Sequence, residues 1–323
     1  MRRMLAVVFL FTATCAHAVE IIGHRGAAGL SPENTLRGYR TAIALGVDRI
    51  DMDVVLSKDN VVIVHHNAEL NPLYTLNADG EWVGGAYPVS HLDFETLQKF
   101  DVGSVQPHSD YAVAYPVRAF RSERAQIPSL EEVIDEVEMH TGGSMYYQIE
   151  LKTNPNLPNN HPDKNELAPR VAKIIQEKGI ASRCDIQAFE WSTLKLMMDV
   201  IPEAKFSFLT DFVNPALGSP HWTLGKPVRT PDDVIAAIKA HGGNIWGPNF
   251  RSLKRRHVEA AHEAGILVKP WTVDDPKDMI RMIEYGVDSI ITNRPDILIG
   301  VLAAKDLPTS QSKCLGCRRG KVS

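Results

Sequence analysis

The chain has 323 residues, 44% of them hydrophobic and 23% charged, which is ordinary globular usage and enough for a sizeable core. Its formal net charge is −4, from 35 basic and 39 acidic residues. This balance gives no basic excess that would indicate a nucleic acid as the partner.

The first 18 residues have the pattern of a secretory signal peptide. Arg2 and Arg3 precede an apolar stretch over residues 4–14, and Ala16-His17-Ala18 is a small-x-small cleavage site. The stretch is shorter than the roughly 20 residues that span a bilayer, and no other segment approaches that length. We therefore expect an exported protein, periplasmic or secreted, without stable membrane insertion. A buried N-terminal strand or helix is the alternative.

After this segment, short apolar runs alternate with longer helical patterns. Several runs are almost continuously apolar or β-branched, as strands covered on both faces require. The predicted strands are 21–23, 49–56, 146–152, 185–189, 205–209, 244–247, 267–273 and 289–292, with 61–65 close behind the second. The predicted helices are 33–45, 130–139, 165–178, 192–200, 231–241, 253–264, 276–285 and 295–304.

Eight strand–helix alternations predict an α/β fold of the (β/α)8 TIM barrel type, which typically takes about 250 residues. Periodicity alone leaves an open, doubly wound sheet as the alternative. We place the barrel at residues 19–305. Residues 68–129 are too long for a loop without structure, and they are rich in Gly, Pro, Ser and Asp. We expect a small inserted subdomain over the barrel mouth.

Residues 306–323 are predicted to form a flexible basic tail. This tail contains Cys314-Leu-Gly-Cys317 beside Arg318, Arg319 and Lys321. A short disulfide is one interpretation in an oxidising compartment, and a tail without function is the other. A lone C-x-x-C pair is weak evidence for zinc.

Polar side chains gather at the predicted strand ends, where the active sites of such barrels lie. Because alternate residues of a strand point the same way, Asp51 and Asp53 share one face, as do Glu150 and Lys152. The complete set also includes His24 and Arg25 after the first strand and His65-His66 after residues 61–64.

This set suits a phosphodiester. Three carboxylates are hard oxygen donors for Ca²⁺ or Mg²⁺, and Arg25 and Lys152 suit an anionic group. Two imidazoles suit general acid–base work near neutral pH. Each piece by itself has a plainer interpretation: a solvated edge, a packed histidine or a surface ion pair worth little. A shared position at a buried barrel mouth favours a functional site over these plainer interpretations, because buried charge requires a partner or a function.

The order of motifs resembles the glycerophosphodiester phosphodiesterase family. The matching segments begin with His24-Arg25-Gly26, Pro32-Glu33-Asn34-Thr35, residues 46–54 and residues 58–67. They continue with residues 127–132, 149–152, 271–274 and 286–293, so the resemblance runs from about residue 21 to residue 299. It implies a (β/α)8 barrel that hydrolyses glycerophosphodiesters to glycerol 3-phosphate and an alcohol with one divalent metal ion, Ca²⁺ or Mg²⁺.

The resemblance also implies a role for each matching residue. The implied catalytic histidines are His24 and His66, the metal ligands Asp51, Asp53 and Glu150, and the phosphate contacts Arg25 and Lys152. A possible substrate pocket would comprise Glu33, Gln187, Phe189 and Trp271, for which plain barrel packing is the alternative.

Three features depart from the family pattern or leave a choice. Asp51 stands where the family usually has Glu, which shortens the carboxylate and could shift the geometry or the preferred metal. Asn67 stands where Asp is usual, and a charge able to orient an imidazole is lost. Of the doublet, we choose His66 because it immediately precedes position 67, and His65 would face the opposite way on a strand.

Two other hypotheses remain open. A lipid-directed relative, such as a lysophospholipase D or a sphingomyelinase D-like enzyme, could use the insert as an apolar lip. Tyr74, Trp82, Tyr87 and Phe94 form no dense apolar patch there, which weakens that hypothesis. A non-catalytic barrel that binds a phosphoester is the second alternative. The sequence leaves open the headgroup, the native metal, the acid and base assignments, the nucleophile and the oligomeric state.

Overall fold

The computed structural model of the protein describes residues 18–85, 87–157 and 160–308. Most of the predicted signal peptide, the Cys314–Cys317 pair and most of the predicted tail lie outside the described residues.

Eight parallel strands form a barrel within the described residues. Numbered in chain order together with the antiparallel strand β3, which is not one of the eight, the strands are β1 (Glu20–Gly23), β2 (Arg49–Leu56), β3 (Val62–Val64), β4 (Tyr146–Leu151), β5 (Cys184–Ala188), β6 (Lys205–Thr210), β7 (Ile245–Pro248), β8 (Leu267–Val268) and β9 (Ser289–Thr292). Their order is β8-β7-β6-β5-β4-β2-β1-β9, while β3 pairs antiparallel with β2 outside the ring. Backbone bonds from Asp288 N to the Val268 oxygen (3.0 Å) and from Ile291 N to the Pro270 oxygen (3.1 Å) close it. The predicted barrel is therefore confirmed, and the open sheet is wrong.

Helices cover the outside of the barrel. These helices are α1 (Leu36–Leu45), α5 (Leu130–Thr141), α6 (Lys164–Glu177), α7 (Trp191–Val200), α8 (Pro231–Ala240), α9 (Arg255–Glu263), α10 (Pro276–Tyr285) and α11 (Pro295–Ala304). Three short helices, α2 (Phe94–Leu97), α3 (Asp110–Ala114) and α4 (Pro116–Phe120), belong to the segment between β3 and α5. The main apolar core joins strand residues such as Ile50 and Ile186 to helix residues such as Val133 and Leu194.

Two predicted boundaries are wrong for local reasons. Helix α1 begins at Leu36 rather than at residue 33, because Thr35 is its N-cap and accepts the Gly38 backbone N–H on its side chain. Strand β8 ends at Val268 rather than at residue 273. Pro270 follows it closely and has no backbone N–H to donate to a strand ladder.

The segment between β3 and α5 contains the three short helices α2, α3 and α4. It has its own apolar cluster, which also takes in Val55 of β2 and Ile63 of β3. From this segment, Tyr74 and Tyr111 reach Glu33, and Tyr115 reaches Asn293, so the segment lies against the carboxyl end of the barrel. Side chains of this segment therefore reach the mouth of the barrel, where the strands end.

A buried ion cluster lies toward the opposite end of the barrel. The Asp185 carboxylate lies 2.7 Å from Lys269 Nζ and 3.3 Å from Arg49 Nη1. Glu20, which is more exposed, lies 3.5 Å from the same Lys269 nitrogen. We expect this cluster to contribute to stability rather than to chemistry, because active sites of such barrels lie at the other end.

We expect Asp185→Asn to lower the free energy of unfolding by about 3 kcal/mol, because it leaves two buried cations short of a counter-charge. Urea unfolding would measure the change. Asp199→Asn is the matched control, since Asp199 forms an exposed ion pair with Lys195, and its effect should stay within about 0.5 kcal/mol. Equal, small losses in both variants would show that the cluster contributes little.

Candidate active site

A cavity of about 100 Å³ opens at the carboxyl end of the barrel strands. Most of the predicted site residues line it, namely His24, Arg25, Asp51, His66, Glu150, Lys152, Gln187, Phe189 and Trp271. Asp53 and Glu33 do not line it, although both contact Arg25. Most of the predicted site residues therefore meet at one cavity, while Glu33 and Asp53 contact Arg25 without lining that cavity.

Strand register explains why residues far apart in sequence meet here. In the parallel ladders, Asp51 pairs with Gln148, Asp53 with Glu150, and Glu150 with Gln187. Side chains at paired positions point the same way. The carboxylates and the two glutamines therefore form adjacent rows across β2, β4 and β5.

The turn after β1 fixes the position of His24 and Arg25. Arg25 and Gly26 both have positive φ values, 51° and 88°. A Cβ on Gly26 would lie 2.7 Å from the backbone of Gly38 in α1, so glycine is required for this close approach. The Arg25 carbonyl also accepts the Asn34 backbone N–H at 3.0 Å.

His24 has a defined proton position. Its Nδ1 lies 2.6 Å from Asn293 Oδ1, and Asn293 Nδ2 donates to Asp274 Oδ2 at 2.7 Å and to the Tyr115 hydroxyl at 3.3 Å. Because the Asn293 amide nitrogen is occupied as a donor, its oxygen accepts, and Nδ1 of His24 holds the proton. Nε2, 4.0 Å from Asp51 Oδ2, then presents a lone pair.

Sequence reasoning missed Asn293 and Asp274 as site residues. Both stand in segments that carry the family resemblance, so the motifs contained the signal but gave no contact partner. Burial and the nearby Arg25 guanidinium lower the pKa of His24 to about 4. The imidazole is therefore neutral near pH 7 and able to accept a proton.

Arg25 is held from behind by acidic groups. Its Nη1 donates to Glu33 Oε1 at 2.8 Å, and its Nε lies 3.3 Å from Asp53 Oδ2. Glu33 also accepts the Tyr74 hydroxyl (3.3 Å) and the Tyr111 hydroxyl (2.7 Å). Although burial opposes it, Arg25 and Tyr111 lower the pKa of Glu33 to about 2. Glu33 therefore anchors Arg25 and is not a wall of the cavity.

The Asp51 carboxylate accepts more hydrogen bonds than that of Asp53 or Glu150. Its Oδ1 accepts Gln187 Nε2 at 2.6 Å and Gln148 Nε2 at 3.1 Å, and its Oδ2 accepts the Arg25 backbone N–H at 3.3 Å. Burial and the charges of Asp53 and Glu150 raise the pKa of Asp51 to about 8.

Asp53 and Glu150 share the Lys152 ammonium. Lys152 Nζ lies 2.7 Å from Glu150 Oε1 and 3.7 Å from Asp53 Oδ1. Burial and Asp53 raise the pKa of Glu150 to about 7 against the attraction of Lys152. Asp53 accepts Asn34 Nδ2 at 2.8 Å, and its pKa is lowered, because His66, Arg25 and Lys152 outweigh its burial.

The donor set fits a hard divalent cation in its chemistry. Burial first, and then repulsion from neighbouring carboxylates, raises the pKa values of Asp51 and Glu150, so a bound cation would stabilise their ionised forms. Gln187 Oε1 is also buried without a hydrogen-bond partner. Across the described residues, however, no group of three or more His, Cys, Asp and Glu side chains is arranged to hold a metal ion. Ligation of one ion by Asp51, Asp53 and Glu150 therefore stays a prediction.

The two histidines of the doublet face different surroundings. His66 lines the cavity, and its Nδ1 lies 2.5 Å from Asn67 Oδ1. Burial and the nearby Arg25 and Lys152 charges lower the pKa of His66. His65 is buried elsewhere, with Nε2 3.4 Å from the Glu69 carbonyl oxygen. His66 is thus the member of the doublet that can meet a bound molecule.

An aromatic corner closes the cavity on the far side. Phe189 and Trp271 pack edge to face with ring centroids 5.5 Å apart. Trp271 Nε1 donates to the Gly247 carbonyl at 2.9 Å, which fixes the indole. This corner offers an apolar wall beside the charged groups.

Comparison with known proteins identifies a family that the chain matches. The model of the glycerophosphoryl diester phosphodiesterase family matches residues 24–297. A glycerophosphodiester phosphodiesterase of Bacillus subtilis (strain 168) is 27% identical over 280 residues, covering 85% of this chain and 84% of that protein. One from Caldanaerobacter subterraneus is 28% identical over 284 residues, covering 87% and 97%.

Solved structures agree with the fold. A putative glycerophosphoryl diester phosphodiesterase from Silicibacter pomeroyi superposes with a TM-score of 0.80 at 29% identity, covering 90% of this chain and 95% of that one. An Oleispira antarctica phosphodiesterase, solved with the product sn-glycerol-3-phosphate, has a TM-score of 0.66 at 17% identity, covering 88% and 97%. The chain belongs to the glycerophosphoryl diester phosphodiesterase family.

Proposed function

We propose that the protein hydrolyses glycerophosphodiesters to glycerol 3-phosphate and an alcohol. The observation that carries the proposal is the single cavity on which His24, His66, Arg25, Lys152 and two carboxylates converge. Family membership supports it, as does the product bound in the Oleispira antarctica relative.

The cationic side chains receive the phosphate. Arg25 is held by Glu33 and Asp53, so its guanidinium is preorganised to hydrogen-bond phosphate oxygens. Lys152 also lines the cavity and adds a second positive charge. Asp51, Asp53 and Glu150 would hold the divalent ion, Ca²⁺ or Mg²⁺, which when bound stabilises the negative charge that develops on the phosphate oxygens.

His24 acts as the general base. Its Nδ1–H is committed to Asn293, so Nε2 takes the proton of the nucleophile, whether water or a glycerol hydroxyl. His66 is the candidate general acid that protonates the leaving alkoxide; because burial, Arg25 and Lys152 lower its pKa, this role requires the negative charge of the bound phosphodiester to favour its protonated form. This assignment rests on position, because His66 also lines a second, wider cavity that can receive the alcohol, whereas His24 does not.

The small cavity suits the glycerol portion. Phe189 and Trp271 would face its carbon chain, and the enclosed space of about 100 Å³ admits a compact group rather than a long acyl chain. This favours water-soluble glycerophosphodiesters over lipid substrates.

The direct test is incubation with glycerophosphocholine and divalent metal, with glycerol 3-phosphate measured by a coupled dehydrogenase. We expect steady release, and faster turnover of soluble diesters than of micellar lysophospholipid. Failure to release product from several headgroups in any divalent metal would overturn the proposal. Tight binding without turnover would instead support the non-catalytic alternative.

We also propose that the protein is exported and cleaved after Ala18. Strand β1 begins at Glu20, so the barrel starts just past the proposed cleavage site. Among the described residues, no helix combines the length and the apolar character needed to cross a membrane. N-terminal sequencing of the protein from an extracytoplasmic fraction should begin at Val19. An intact N-terminus retained in the cytoplasm would exclude this processing.

A further inference from the structure

A second cavity, of about 570 Å³, adjoins the candidate active site. It shares His66 and Lys152 with the smaller cavity, so a diester phosphate between these two side chains would have one substituent in each space. Its volume lies within the range of about 300–1,000 Å³ that small-molecule sites occupy. Asn67, Glu69, Asn71 and His161 are also among the residues that line it.

Glu69 is the uncompensated charge of this cavity. It is half-buried, and no ion pair joins it to any residue in the described ranges. Lys152, the cation of the same lining, is already paired with Glu150 at 2.7 Å. A partly desolvated carboxylate without a counter-charge attracts a cationic group.

Glu69 lies where the cavity meets the apolar cluster of the segment between β3 and α5. The next residue, Leu70, is buried in the apolar cluster of the insert, and the Glu69 backbone bridges to Pro88 in an extended arrangement. Glu69 is nevertheless one of the residues that line the cavity, together with its neighbours Ala68 and Leu70.

The rest of the lining indicates the kind of cation. The residues described as lining this cavity include no Phe, Tyr or Trp, so the aromatic faces that recognise quaternary ammonium groups are missing from them. Three asparagines, Asn67, Asn71 and Asn160, supply amide groups instead. Carboxylate and amide oxygens accept hydrogen bonds, which a primary ammonium donates and a quaternary one does not.

We propose that this second cavity is the alcohol subsite and that Glu69 selects leaving alcohols that carry a primary ammonium group. The inference rests on the proposed function, since it concerns the alcohol of the same diester. Glu69 is a specificity-determining residue and takes no part in bond cleavage. The preferred substrate class is glycerophosphodiesters of amino alcohols, with glycerophosphoethanolamine as the simplest probe.

The test compares kcat/KM for glycerophosphoethanolamine, glycerophosphocholine and glycerophosphoglycerol in the wild type, Glu69→Gln and Glu81→Gln. Glu81 is exposed on the same insert and makes the same charge change outside the cavity. We expect Glu69→Gln to lower kcat/KM for glycerophosphoethanolamine about tenfold, because one charge-assisted hydrogen bond is lost. The value for glycerophosphoglycerol should change less than about twofold, and Glu81→Gln should match the wild type.

Any other result would contradict the inference, and the possible results differ in what they would show about Glu69. Equal losses on all three substrates would make Glu69 a structural residue, and a thermal unfolding curve would show the damage. Unchanged values would mean that the alcohol does not contact Glu69. A preference for glycerophosphocholine that Glu69→Gln abolishes would refute selection of primary ammonium. Wild-type protein that turns over none of the three would refute the proposed function itself, and this inference with it.

Discussion

Replacing His24 with Asn is expected to lower kcat by about 10²–10⁴-fold, the usual range for loss of a positioned acid or base. The asparagine amide can still donate to Asn293 Oδ1, but the Nε2 lone pair that accepts the proton of the nucleophile is gone. Initial-rate kinetics with glycerophosphocholine at saturating metal would measure the loss. The unfolding temperature should stay close to that of the wild type.

The histidine doublet supplies a matched comparison for the same experiment. His66→Asn should lose kcat to a similar degree, because His66 lines both cavities beside the phosphate position. His65→Asn removes an imidazole one residue away that instead contacts the Glu69 carbonyl, so its kcat should change only a few fold. A larger loss in His65→Asn than in His66→Asn would reverse the assignment.

The barrel could be predicted because its strands are buried on both faces. Residues 50, 52 and 54–56 supply an apolar set within residues 49–56, and residues 289–292 contain two isoleucines and a threonine; β2 and β9 occupy those positions. The helices predicted to begin at residues 231, 276 and 295 begin there in the structure as α8, α10 and α11, each with proline in its first position. The predicted boundaries were wrong where one local group sets the end of the element: the capping side chain of Thr35 for α1 and the missing backbone N–H of Pro270 for β8.

The supporting contacts of the site could not be predicted. Asn293 meets His24 across 269 positions of sequence, and Tyr111 meets Glu33 across 78. Such contacts depend on barrel closure and on how the insert packs, and neither leaves a local pattern. The same holds for Glu33, whose motif marked it as important but could not distinguish a pocket wall from an anchor for Arg25.

Removing divalent metal should abolish turnover, because the developing phosphate charge loses several kcal/mol of stabilisation. Binding of the metal ion can be measured separately from activity, as a change in the unfolding temperature. A ligand that binds only the folded state at 100 times its Kd adds about 2.7 kcal/mol to the free energy of unfolding. Ca²⁺ or Mg²⁺ should therefore raise the unfolding temperature of the chelator-treated wild type.

Glu150→Gln should remove both effects, because it deletes one of the three predicted ligands. Glu166→Gln is the control, since Glu166 lies on the exposed face of α6 and pairs only with Arg170 among the described side chains. It should keep the metal response and the activity. A Glu150→Gln protein that is still stabilised by metal as strongly as the wild type would contradict ligation by Glu150.

Without metal, Glu150→Gln should be at least as stable as the wild type at pH 8. The pKa of Glu150 is raised to about 7 in the folded protein, above its value in the unfolded chain, so ionisation opposes folding. The favourable contribution of the protonated form is present at low pH and is lost as the pH rises through 7. A neutral glutamine avoids that loss, although it gives up the ion pair with Lys152. Urea unfolding of both proteins at pH 5 and pH 8 would measure the difference. If the variant gains no stability relative to the wild type between these two pH values, the pKa of Glu150 is not raised in the folded protein.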